Sequence, residues 1–198
     1  FADHYTHFGP DAIATIDEVL AAAGMIADDM SALVLVGFSE GCQGVRTQLL
    51  AGVVPSAALA VDGIHAQPDP WRAYAERARR GEVALTITHS SIQPTYASTT
   101  QMAATIMAPD VEQPVAPSGG QYPQISEFQD GLFRVVGYAG TDAGAHVYQG
   151  TVVLPAELAR IRDANLSMPS SSGGGLSNMA LLIGGAVAGF AVVYNLRS

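Results

Sequence analysis

The run Leu33-Val34-Leu35-Val36 leads straight into Gly37-Phe38-Ser39-Glu40-Gly41-Cys42-Gln43-Gly44, and this stretch constrains the fold more than any other. Four aliphatic residues in a row, apolar on both faces, read as a buried parallel strand. The small-residue segment after Ser39 reads as a helix to about Ala51, with Val45, Leu49 and Leu50 toward the core. A glycine on each side of the serine suits a sharp strand-to-helix turn, where backbone is strained and a neighbouring Cβ would clash. Such a turn lifts the hydroxyl above the sheet and aims the next backbone N–H, that of Glu40, at the same point. A serine nucleophile needs that arrangement. The competing reading is a glycine-rich phosphate cradle. Against it, the Gly-x-Gly-x-x-Gly spacing is missing and the chain has no lysine.

The rest of the chain alternates in the same way. Asp11 to Gly24 reads as a helix with an apolar stripe of Ile13, Ile16, Val19 and Leu20. Ala57–Val61 reads as a second short buried strand, closing in Asp62-Gly63-Ile64-His65. Pro68 to Gly81 follows as a helix whose Arg72, Arg77, Arg79 and Arg80 form a solvated basic face. Val83–Thr88 is a third strand ending in His89-Ser90-Ser91, and Thr95 to Met107 is helical. Ala108 to Asp130, with Pro109, Pro114, Pro117 and Pro123, is a long irregular segment that suits a rim or lid over a pocket. Leu132–Tyr138 is a fourth strand, opening into a small-residue loop that carries Asp142 and His146. A last helix covers about Pro155 to Asn165.

Strands alternating with helices predict an α/β domain with a mostly parallel sheet flanked by helices. In such sheets functional groups gather at the carboxyl ends of strands. Ser39, Asp62, His89 and His146 each follow or end a strand, and that coincidence outweighs any single motif. At 198 residues the chain can bury a real core. Its net charge of -9 and lack of any long basic face argue against nucleic-acid binding. The lone cysteine, Cys42, excludes an internal disulfide framework or a cysteine-built zinc site and reads as a small core residue. His4 and His7 lie in a loop-like opening without carboxylate spacing for a metal, so neither a metal nor a cofactor is expected. The chain starts at Phe1 rather than Met, which reads as a processed, trimmed or incomplete N-terminus, and no secretory signal is visible.

A serine hydroxyl needs a base to take its proton, and the base needs an acid to fix its tautomer. With GFSEG after a strand, then an acid, then a late histidine, residues 11–165 resemble the α/β-hydrolase family. The resemblance implies Ser39 as nucleophile, His146 as general base and the Glu40 N–H as an oxyanion donor. It leaves the acid open between two residues. The commoner position follows the strand ending in THSS, which carries no carboxylate. Some members place the acid one strand earlier, which matches Asp62, and Asp142 is the rival, reading better as a turn residue. His65 and His89 read as structural or pocket-lining. The family's early strands and second oxyanion donor are not visible. The expected activity is ester hydrolysis, with a catalytically inactive hydrolase-like structural subunit as the alternative.

After a domain over 1–166, the composition of 167–178 (SMPSSSGGGLSN) is that of a flexible linker. Met179 to Tyr194 gives sixteen uncharged residues, and 179–198 reads as an apolar helix, spanning a membrane or packing in a larger assembly. Gly185 and Gly189 have the Gly-x-x-x-Gly spacing that lets two such helices pair, which would make a homo-oligomer. Arg197 favours a cytoplasmic C-terminus, hence a membrane-associated protein with its hydrolase domain outside the cytoplasm. A component of a virus particle is the alternative location.

Overall fold

The computed structural model describes residues 32–90, 98–164 and the backbone of 179–184. The predicted helix over 11–24, His4, His7, the linker 167–178 and the tail from Gly185 onward lie outside the described residues. Strand β1 (Ala32–Phe38) runs into helix α1 (Gly41–Leu50), followed by β2 (Ala57–Val61), α2 (Asp69–Arg79), β3 (Ala84–Ser90) and α3 (Thr99–Met107). Then come β4 (Gln113–Pro114), β5 (Gln124–Asp130), β6 (Phe133–Tyr138), the short helix α4 (Ala143–Tyr148), a π-helical segment (Gln149–Val153), α5 (Leu154–Asp163) and β7 (Met179–Gly184).

The strands form one mixed sheet in the order β4-β5-β6-β3-β2-β1-β7. From β6 to β7 all neighbours are parallel, whereas β5 pairs antiparallel with β6 and β4 with β5. Register sorts the aliphatic side chains into two layers. Leu35, Ala58, Leu85 and Phe133 stand level across four strands and pack under α1, α2 and α3, with Trp71, Tyr74, Ala103 and Ile106. One residue earlier, Val34, Ala57 and Ala84 face the other way, with Ile161, Leu154 and Leu158 of α5 over that layer. Strands buried on both faces explain the unbroken aliphatic runs in the sequence.

Several expectations change. The segment 108–130 is not irregular throughout, because Gln124–Asp130 is a strand folded back on β6 through Gly131. Its sequence, QISEFQD, lies on the sheet's margin, where half-exposed polar residues replace the aliphatic run of an inner strand. The Asp130-Gly131 pair was the available hairpin signal. The apolar helix predicted over 179–198 is also corrected over its first six residues, the part that the structure describes. Met179–Gly184 is a strand, pairing parallel with β1 from Ala32↔Met179 to Gly37↔Gly184. A short apolar run suits a buried strand as well as a helix, and the open side of β1 decides the matter. Among the described residues no helix is long and apolar enough to cross a membrane. Leu50 is 63% exposed rather than core-facing. Arg79 is not on a solvated face either: its guanidinium lies over the rings of Phe128 and Phe133 and pairs with Asp110 and Asp130.

The Gly131 turn sets the position of the β5–β6 hairpin. Its φ is +58°, and a Cβ there would overlap the carbonyl oxygen of Arg79 at the end of α2. Gly81 has φ +76° but open space around it. Gly131→Ala should therefore destabilise by about 1–3 kcal/mol more than Gly81→Ala, since both carry the backbone strain and only the first adds overlap. Urea unfolding of the two variants checks the difference.

Candidate active site

The site is built first by register. β1 and β2 pair as Phe38↔Val61, so the residues leaving these strands, Ser39 and Asp62, stand level at the carboxyl edge of the sheet. Both take left-handed backbone conformations, with φ of 55° and 44°. Such values are uncommon away from glycine and persist only where surroundings impose them. Here the Ser39 N–H donates to the Val61 carbonyl at 3.0 Å, and the Asp62 N–H to that of Thr88 at 2.9 Å. The glycines make the crossing feasible. A Cβ on Gly37 would lie 2.6 Å from the Cys42 nitrogen, and one on Gly63 would overlap the Ser39 carbonyl oxygen. Any side chain at either position would push the serine turn off its strand.

Asp62 is fully buried. Its Oδ1 accepts from the Ser90 N–H at 2.9 Å and the Thr99 hydroxyl at 2.6 Å. Its Oδ2 accepts from the Ser90 hydroxyl at 2.7 Å and faces His146 Nδ1 at 2.8 Å. Burial pushes the carboxyl pKa up. The bonds from His146, Thr99 and Ser90 outweigh it and hold the group below its ordinary value. Asp62 therefore stays ionised and accepts a hydrogen bond from the His146 Nδ1–H, which leaves Nε2 as the nitrogen turned away from the carboxylate. The His146 ring stacks on Phe38, the residue before the serine, with centroids 4.7 Å apart.

His146 is not on a loop, as its small-residue surroundings suggested, but in the second turn of α4. Asp142 caps that helix, its side chain accepting the Ala145 N–H at 2.9 Å, so the rival acid is a turn residue and makes no bond to His146. Glu40 precedes α1, its carbonyl accepting from the Gln43 N–H. Its own N–H has no acceptor among the described residues, which leaves it available to an oxyanion. Ser39 Oγ and the His146 ring are not hydrogen-bonded to each other. Burial, with a smaller contribution from the Asp62 charge, pushes the Cys42 thiol well above its ordinary pKa. It stays protonated beside the Gly37 carbonyl.

Of the remaining candidates, His89 is buried on the other face of β3. The Thr100 hydroxyl donates its hydrogen to the Ser90 carbonyl at 2.8 Å, so it accepts from His89 Nδ1–H at 2.9 Å. Nε2 meets Glu112 at 2.9 Å, tying the end of β3 to the segment before β4. His65 lines a recess with Gln43, Arg46 and Trp71, to which neither Asp62 nor His146 contributes. Ser90 and Thr99, the donors that hold Asp62, were not singled out in the sequence. The only signal was hydroxyl residues next to a strand end that lacks a carboxylate. Among the described residues no group of three or more histidine, cysteine or acidic side chains could hold a metal ion. Compared with family models, curated proteins and solved structures, the chain gives no match.

Because Asp62 is held below its unfolded value, the stability its bonds contribute is in place above about pH 3.9 and lost as pH falls through the lower folded value. Thr99→Val removes the shortest donor. It should cost about 1.5–3 kcal/mol at pH 7 and move acid unfolding to higher pH. Urea denaturation repeated from pH 7 down to pH 3 measures both.

Proposed function

We propose that this chain is a serine hydrolase of the α/β-hydrolase type, cleaving a carboxylic ester through Ser39, His146 and Asp62. The observation that carries the reading is the Asp62–His146 bond of 2.8 Å, formed beside a serine with φ +55° on the adjacent strand end. Ser39 Oγ attacks the ester carbonyl as His146 Nε2 takes its proton, and Asp62 holds the imidazolium through Nδ1–H. The oxyanion is met by the Glu40 N–H. His146 then gives the proton to the departing alcohol, leaving the acyl group on Ser39. A water activated by the same nitrogen releases the acid and restores the serine. A helical membrane tether is not part of this reading, since six of the sixteen apolar tail residues belong to the sheet.

The competing reading, an inactive hydrolase-like subunit of an assembly, is supported by the missing Ser39–His146 hydrogen bond. In the absence of substrate such bonds are often long and tighten only on binding. A fluorophosphonate probe separates the two. The active enzyme labels, Ser39→Ala abolishes labelling, and His146→Ala slows it by about 10³-fold or more, the scale of losing a triad member. An unlabelled wild-type protein, or equal labelling of Ser39→Ala, overturns the proposal. Cleavage of a short-chain p-nitrophenyl ester by the same variants should follow the same order.

A further inference from the structure

The helix that carries His146 is six residues long, too short to hold its shape alone. It is fastened at both ends. At its far end Gln149, fully buried in the π-helical segment, accepts from the Thr88 hydroxyl of β3 at 2.8 Å. At its start sits Asp142, whose Oδ1 accepts both the Ala145 N–H at 2.9 Å and the phenol of Tyr122 at 2.7 Å.

Tyr122 arrives from elsewhere in the chain, the segment between β4 and β5 on the far margin of the sheet. Its seat is shaped for it. A Cβ on Gly140, where φ is +120°, would lie 2.6 Å from the Tyr122 ring, and one on Gly144 would overlap its hydroxyl. Its ring also meets Tyr148 edge-on, with centroids 5.5 Å apart, so the tyrosine touches α4 at its first and last turns. The hydrogen bond to Asp142 is the principal reason that the Tyr122 phenol keeps its proton beyond the ordinary range, so it remains a donor.

We propose that Tyr122 is a positioning residue for His146. Its hydroxyl fixes the capping carboxylate and its ring fixes the helix. Together they present the imidazole to Asp62 on one side and Ser39 on the other. The proline-rich segment before β5 is thus part of the base's support rather than a free rim. The inference rests on the serine-hydrolase reading, since positioning matters only if His146 moves a proton.

The test uses the full chain, well below its melting temperature, with two readouts. One is the second-order rate of Ser39 phosphonylation by a fluorophosphonate. The other is the downfield proton NMR signal of His146 Nδ1–H, assigned by its loss in His146→Gln. Tyr122→Phe should slow phosphonylation by about 2- to 10-fold, the equivalent of one hydrogen bond, and shift or broaden the proton signal. Asp142→Asn keeps an acceptor for both donors and should stay near the wild-type rate. Adding Tyr122→Phe to Asp142→Ala should slow the reaction no further, because both act through the same cap. A wild-type rate and an unmoved signal in Tyr122→Phe, or rate losses that multiply in the double variant, overturn the proposal. A wild-type protein that does not label removes the hydrolase reading instead, and the NMR signal then decides the positioning alone.

Discussion

The carboxylate of Asp62 gathers hydrogen bonds from β3, from the first residue of α3 and from α4, while its own backbone ends β2. A buried charge without such partners would cost several kcal/mol, and removing one partner would leave the remainder uncompensated. Four bonds to one group satisfy it and at the same time fix the elements that supply them. Ser90 can bond twice only if β3 ends at its observed height, and Thr99 reaches only if α3 starts directly above it. The carboxyl edge of the sheet is therefore assembled around a charge, whereas the body beneath is assembled around aliphatic layers.

That division explains which parts of the molecule were legible beforehand. The inner strands announced themselves because strands covered on both faces favour apolar and β-branched residues: Leu33–Val36 and Ala57–Val61 are unbroken apolar runs, and Val83–Thr88 is broken only by Thr86 and Thr88. The Gly-Phe-Ser-Glu-Gly turn was legible because Gly37 answers a steric need local to the turn, where a Cβ would meet the Cys42 backbone. β5 was not, since a marginal strand carries no such run and its glutamines and serine read as loop. β7 was misassigned because six aliphatic and small residues satisfy either a helix or a strand, and only the open side of β1 discriminates.

The candidate site divides along the same line. Ser39 and Asp62 could be singled out because each directly follows a strand, and His146 because it lies in the segment that follows β6. Ser90, Thr99 and Tyr122 could not, because each matters through a partner 20 or more residues away. A serine, a threonine and a tyrosine carry no pattern of their own. Arg79 shows the converse: a helix-face arginine reads as solvated until the β5–β6 hairpin places two aromatic rings beneath it.

The level exit of Ser39 and Asp62 from two hydrogen-bonded strands has a further consequence for how such a chain can change. Their separation is set by the pairing of β1 with β2 and is independent of the length of chain between them. Insertions between β2 and β6, in the connection after Ser90 or in the turn before β5, leave that spacing untouched. A single residue gained or lost inside β1 or β2 would slip the pairing by one place and turn every side chain beyond it to the opposite face. Variation in length among related chains should accordingly accumulate on the β4–β5 side of the sheet and be absent from β1 and β2.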